Sequence, residues 1–378
     1  MPRPRARELG IRIGTLLTAE LNAITDVPGV RVGHATLVEG DSVRTGVTVV
    51  LPHEGNPWEE PVFAGSHRLN GNGELTGLEW IRESGMLTSP IGLTNTHSVG
   101  VVHDALIAAE VERRASGEDF WSLPVVGETW DGPLNDIHGM HVRPEHVRAA
   151  LESTAAGPVD EGNVGGGTGM ICHEFKGGIG TSSRVVEAAG GYVVGVLVQA
   201  NYGRRERLRV DGVPVGQDIT ADVVPLPGIP GARAGGSIIA LIATNAPFLP
   251  GQCERLAQRA GLGLARAGGV GENSSGDLFL CFATGNRGLP AGDVDAENPL
   301  TVPLEMVPNG HITPFFDAVV EATEEAILNA LCAAETMAGH KGTVVHELPT
   351  DLLVDVLERR GALSEQRIRR RVQSSPGR

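Results

Sequence analysis

In a chain of 378 residues, 41% hydrophobic content supports a substantial core, but aromatic residues make up only 4%, so Val, Ile, Leu and Ala must fill it. The 46 acidic against 31 basic residues give a formal net charge of -15, which repels nucleic acid and anionic membranes and argues against either as a partner. Cys172, Cys253, Cys281 and Cys332 are widely spaced with no C-x-x-C pair, so they read as small buried residues in a reducing compartment rather than as a disulfide framework.

The N-terminal stretch Met1 to Glu8 is basic, but Leu9 to Leu17 is broken by Gly10, Arg12 and Gly14 and has no apolar signal core. No segment approaches the ~20 apolar residues that span a bilayer, and the expected location is cytoplasmic. Short β-type runs then alternate with helical patterns, which predicts a layered α/β architecture whose core is mostly sheet. Strands are expected at Val47 to Leu51, Tyr192 to Gln199, Ser237 to Thr244 and Asp277 to Ala283, each bounded by glycine or asparagine. After Pro250, the spacing of Cys253, Leu256, Ala257, Ala260 and Leu264 predicts an amphipathic helix with Glu254, Arg255 and Arg259 on its polar side. Phe316, Val319, Val320, Thr323, Ile327 and Leu331 predict another. With no low-complexity linker between these elements, residues 1–378 read as one α/β domain, with 361–378 a polar tail.

One junction carries chemistry of its own. The small-residue run Arg233-Ala234-Gly235-Gly236 leads straight into the apolar strand that Ser237 opens. If the Gly236-Ser237 bond is cut, Ser237 holds a nucleophilic oxygen and a free α-amine, whose ordinary pKa of about 7.7 to 8.0 suits a general base near neutral pH. Gly235 and Gly236 lack side chains and let the Ser237 hydroxyl approach the preceding carbonyl for an N-to-O acyl shift. A serine that merely starts a strand is the other reading of the same residues.

Four ordered stretches decide between them: Ile24-Thr25-Asp26-Val27-Pro28-Gly29-Val30-Arg31-Val32-Gly33-His34, Gly162-Asn163-Val164-Gly165-Gly166-Gly167-Thr168-Gly169-Met170, Lys176-Gly177-Gly178-Ile179-Gly180-Thr181-Ser182-Ser183, and the Gly236-Ser237 strand. Together they resemble the self-processing serine aminopeptidases of peptidase family S58, which include the L-aminopeptidase/D-amidase/esterase and the β-peptidyl aminopeptidases. The resemblance implies an αββα sandwich, N-terminal-nucleophile-like and of the type shared with ornithine acetyltransferases. It also implies self-cleavage into 1–236 (α subunit) and 237–378 (β subunit), and a homo-oligomer, a tetramer of processed αβ units.

Carried over residue by residue, the resemblance makes Ser237 the nucleophile and gives Asn201 the oxyanion-donor role. Ser275 and Asp277 match a Ser-x-acidic pair of the family's active site, with Asp277 placed to orient Ser275 and stabilise the ammonium form of the Ser237 amine. Some relatives carry glutamate at the acidic position, so the reach of Asp277 is shorter here. An aminopeptidase must also hold a substrate ammonium, and the run Val125 to Gly132 offers Glu128 for that charge and Trp130 as a pocket wall. Turn chemistry, a strand end and a solvated strand end are the bland alternatives for Ser275 with Asp277, for Asn201 and for Glu128, respectively.

Gly165, Gly166, Gly167 and Gly169 lack the lysine and spacing of a phosphate-binding loop and read as close backbone packing near the pocket. Cys172-His173-Glu174, His97 with His103, and His340 and His346 match no metal-binding spacing, so no metal and no cofactor is expected and the histidines read as structural. The expected activity is release of small N-terminal residues from short peptides, amides or esters. Whether α-, β- or D-amino acyl groups are preferred stays open. An acyltransferase of the ornithine acetyltransferase type is the nearest enzymatic alternative, although those proteins use threonine. An uncleaved small-ligand-binding protein is the non-enzymatic alternative.

Overall fold

The structure is a computed structural model, and it describes residues 3–114, 120–228, 236–290 and 299–363. Gly235 and most of the expected 361–378 tail therefore lie outside the described residues. Strands β1 (Arg31–Glu39), β2 (Val43–Leu51), β5 (Ile91–Asn95) and β6 (Val125–Thr129) form a four-stranded sheet in the order β1-β2-β5-β6. A six-stranded sheet comprises β3 (Val62–Gly71), β4 (Met86–Leu87), β9 (Gly178–Val186), β10 (Tyr192–Asn201), β11 (Ser237–Thr244) and β12 (Gly276–Ala283), in the order β4-β3-β12-β11-β10-β9. Two short ribbons, β7 (Ile171–Cys172) with β8 (Phe175–Lys176) and β13 (Met337–Ala338) with β14 (Val344–Val345), lie outside these sheets. The helices are α1 (Leu78–Ser84), α2 (Val99–Arg113), α3 (Pro144–Glu152), α4 (Pro250–Arg266), α5 (Thr313–Ala333) and α6 (Thr350–Arg359).

Side-chain alternation explains the layering. Along β11, Ile238, Ala240 and Ile242 pack with Cys253, Leu256 and Ala260 of α4 and Val319 and Ala326 of α5. The intervening Ile239, Leu241 and Ala243 pack against Val32, Val50, Leu93 and Val125 of the other sheet. On the far side of that sheet, Val47, Val49 and Val126 meet Val102 and Leu106 of α2 and Val147 of α3. A strand with both faces buried reads as one continuous apolar run, as β11 does, and two such sheets covered by helices make the expected αββα sandwich.

The two parallel pairs, β5 with β6 and β11 with β12, are joined through α2 and α4, because a parallel return needs a crossover long enough for a helix. Expected strand ends move slightly. The run from Tyr192 continues to Asn201, so Asn201 is the last residue of β10 rather than a flanking one, and β12 starts at Gly276, one residue early. Helix α4 matches its predicted face, with Arg255 and Arg259 laid over the Phe316 ring at 5.2 and 3.8 Å.

Helix α5 is more enclosed than its apolar spacing implies, because it also buries Glu321, Glu324 and Glu325. Arg184 of β9, itself fully buried, reaches Glu321 at 3.0 Å and Glu325 at 2.7 Å, and Arg7 from the N-terminal segment adds a second cation to Glu325 at 2.8 Å. All four cysteines are buried free thiols. Among the described residues, no helix is long and apolar enough to cross a membrane.

Candidate active site

Register gathers the predicted residues at one end of the sandwich. Ser237 opens β11 and is nearly buried; across it on one side lies Asn201, the last residue of antiparallel β10, and on the other Gly276, the first residue of parallel β12. The Gly276 N–H donates to Ser237 Oγ at 3.1 Å, which fixes the hydroxyl on the inter-sheet side, in phase with Ile239 and Leu241. Gly236 has no room for a side chain: a Cβ there would fall 1.9 Å from Asn201 O and 2.6 Å from Tyr202 Cα.

Both ends of the Asn201 amide are held. Its Oδ1 accepts the Ile171 N–H at 2.8 Å, and its Nδ2 donates to Trp130 O at 3.0 Å. A primary amide carries two N–H bonds on nitrogen, so one remains for an acceptor beside Ser237. A pinned, neutral donor that needs no reorganisation is what a developing oxyanion requires.

Ser275 and Asp277 flank Gly276, and by the strand's period of two they share the opposite face from it. The Ser275 hydroxyl donates to Asp277 Oδ1 at 2.6 Å. Burial pushes the Asp277 carboxyl up to about 6, against the hydrogen bonds from Ser275 and the Ile238 backbone that favour its charged form. Ser275 and Asp277 line, together with Gly236 and Tyr202, a cavity of about 10 Å³, room for a single water. The carboxyl thus borders the residue whose carbonyl precedes the Ser237 nitrogen.

Glu128 comes from the other sheet. Its carboxylate accepts the Glu74 N–H at 2.9 Å and the Thr96 hydroxyl, and burial raises its pKa. A Cβ on Gly73 would lie 3.2 Å from Glu128 Oε1 and 3.0 Å from Gly276 Cα, so Glu128 sits across one glycine from the residue that holds Ser237. Trp130, an exposed residue, plays two parts: its carbonyl holds Asn201, and its ring stands edge-on to His97 at 5.5 Å.

Gly276, Gly73, Ile171, Thr96 and Glu74 complete the site and were not singled out from the sequence. Their contributions are backbone groups or a short hydroxyl, which carry no residue-type signature. The glycine turn Gly165–Gly167 is buried between the sheets, where a Cβ on Gly166 would meet Gln199 Oε1 at 2.2 Å and Leu93 O at 2.7 Å, so it packs as backbone. His173 is buried with a left-handed φ of 49° and bonds Arg204 O through Nδ1, and burial lowers its pKa to about 4. Cys172 beside it is buried as well.

The sequence model of peptidase family S58 matches residues 22–345. This chain belongs to that family. It is 46% identical over 374 residues to a β-peptidyl aminopeptidase of Sphingosinicella microcystinivorans, covering 94% of this chain and 92% of the relative. Among solved structures, a β-aminopeptidase of a Burkholderia species superposes with a TM-score of 0.89 at 57% identity, covering 94% of this chain and 99% of the other. The L-aminopeptidase D-Ala-esterase/amidase of Ochrobactrum anthropi, described as a prototype of the serine aminopeptidases and a variant of the Ntn hydrolase fold, superposes with a TM-score of 0.87 at 43% identity, covering 96% and 100%. The fold is therefore an N-terminal-nucleophile hydrolase variant, and the chain is a serine aminopeptidase of this family.

Proposed function

We propose that the chain cleaves itself between Gly236 and Ser237 and then releases small N-terminal residues from short peptides, amides or esters. In the first step Ser237 Oγ attacks the Gly236 carbonyl, the C–N bond to Ser237 breaks, and the resulting ester is hydrolysed by water. This leaves 1–236 and 237–378 as the α and β subunits of one folded domain. The freed Ser237 amine then takes the hydroxyl proton as Oγ attacks the substrate carbonyl, and the spare Asn201 N–H receives the developing oxyanion. The protonated amine passes its proton to the leaving amine, and water hydrolyses the acyl-enzyme by the same groups.

The observation that supports this reading is the seating of Ser237 Oγ by the Gly276 N–H, directly across the strand pair from Asn201. Asp277 supplies negative charge for the ammonium form of the Ser237 amine, and Glu128 takes the ammonium of the substrate. Proteins similar to this chain are named for β-peptidyl and L-amino-acyl substrates, and both classes belong in its substrate range. Processed αβ units assemble as a tetramer in this reading, and the enzyme works in the cytoplasm without metal or cofactor.

The test uses p-nitroanilides of a small apolar first residue with the amine free or acetylated. Free-amine substrates should be cleaved and acetylated ones not, and equal turnover of both would refute the aminopeptidase reading. Exhaustive chelation should leave the rate unchanged, and a loss that zinc or manganese restores would contradict the proposed division of labour.

A further inference from the structure

Lys176 is a fully buried cation that the chemistry above does not use. Its Nζ donates to the carbonyls of Gly177 at 2.8 Å, Met170 at 2.9 Å and Gly167 at 3.3 Å. An ammonium has three donors, and all three are taken by neutral carbonyls; among the described residues no carboxylate pairs with it. Removing an unpaired ammonium from water is costly, and here burial lowers its pKa to about 7. A methionine would fill similar space without that cost, but it would withdraw the donor from all three carbonyls.

Two of the acceptors, Gly167 and Met170, bracket the turn that follows the Gly165–Gly167 segment, closed by the Met170 N–H donating to Gly167 O at 3.2 Å. The residue after Met170 is Ile171, whose N–H holds Asn201 Oδ1 at 2.8 Å. Met170 is gripped further: its carbonyl also accepts the Gly177 N–H at 2.9 Å, and its Sδ takes the Thr129 hydroxyl, one residue before Trp130. Asn201 is thus suspended between Ile171 and Trp130, and Lys176 fastens the Ile171 side.

We infer that Lys176 is the positioning residue of the oxyanion site: it clamps the Gly167–Met170 turn so that the Ile171 N–H holds the Asn201 amide in place for the reacting carbonyl. The inference rests on the reading of Ser237 as nucleophile and Asn201 as oxyanion donor. It predicts that Lys176 acts on the rate of the chemical step, through Asn201, rather than on substrate binding.

The test is a double-mutant cycle on a free-amine p-nitroanilide, using wild type, Lys176→Met, Asn201→Ala and the double variant, with kcat expressed per mole of processed chain. Loss of one oxyanion donor costs about 100- to 1,000-fold in kcat, and a displaced donor should cost less, about 10- to 100-fold, with KM within about twofold. In the Asn201→Ala background, Lys176→Met should change kcat by less than about twofold. Lys176→Gln, which keeps two N–H donors but no charge, should fall between wild type and Lys176→Met.

If Lys176→Met fails to fold by circular dichroism, the same cycle with Lys176→Gln decides. Wild-type kcat in the folded variant, a defect confined to KM, or full additivity with Asn201→Ala would overturn the inference. Ser237→Ala, run alongside, separates this from failure of the underlying reading: activity surviving in that variant would remove the nucleophile itself.

Discussion

The Gly236-Ser237 junction concentrates the residue-scale constraints. Gly236 cannot carry a side chain against Asn201 O, so Gly236→Val should displace the carbonyl proposed for cleavage and slow or abolish processing, visible as persistence of the full-length band on a denaturing gel. Normal processing in that variant would mean that the carbonyl does not need this seat. In the proposed mechanism Asp277 must be ionised to balance an ammonium, and burial, which penalises the charge, pushes its carboxyl up to about 6. Activity should therefore rise as pH increases through about 6. Ser275→Ala removes a hydrogen bond that favours the charged form, so the Asp277 pKa must rise and the ascending limb of kcat/KM should move to higher pH. An unmoved limb would detach Asp277 from the rate. Glu128→Gln keeps the shape and removes the charge, which should lower kcat/KM about 10- to 100-fold for free-amine substrates, the worth of a charge-assisted hydrogen bond. Unchanged kinetics would take Glu128 out of the substrate site.

At the scale of elements, what was legible depended on how far along the chain a signal extends. Strand β11 was readable because its both-sided burial leaves an unbroken apolar run after two glycines in the sequence. Its partners were not: that Ser237 has Asn201 on one side and Gly276 on the other is a matter of register, which no local pattern encodes. Ser275 and Asp277 stand out in the sequence by spacing and resemblance, whereas Gly276 between them, which donates to Ser237 Oγ, contributes only a backbone N–H.

Helix α5 shows the opposite failure, since Glu321 and Glu325 look like a solvated face until Arg184 and Arg7 arrive from distant segments. Those cations hold the Glu325 carboxyl below its usual range despite burial, so its contribution to stability is present above the ordinary carboxylate pKa and is lost as pH falls through the depressed value. Breaking a buried pair strands its partner, and Glu325→Gln should cost about 3 to 5 kcal/mol in denaturant unfolding at neutral pH. A loss under about 1 kcal/mol would show that Arg184 is satisfied without it.

For the whole molecule, the proposed cut falls where it can change chemistry without dismantling the fold. Strand β11 would belong to the second fragment, yet it stays hydrogen-bonded to β10 of the first, and β12 to β3. Helix α5 packs on β9 and β10, so much of the core is shared by both fragments. They should therefore co-purify under native conditions and separate only in denaturant. The most direct measurement is intact mass combined with N-terminal sequencing of the purified protein. From 39.6 kDa divided in proportion to length, fragments of about 25 and about 15 kDa are expected, the smaller beginning Ser-Ile-Ile-Ala, with Ser237→Ala remaining one inactive chain. A wild-type protein that hydrolyses peptides while still a single 378-residue chain would contradict the account, because Ser237 would then have no free amine to act as its base.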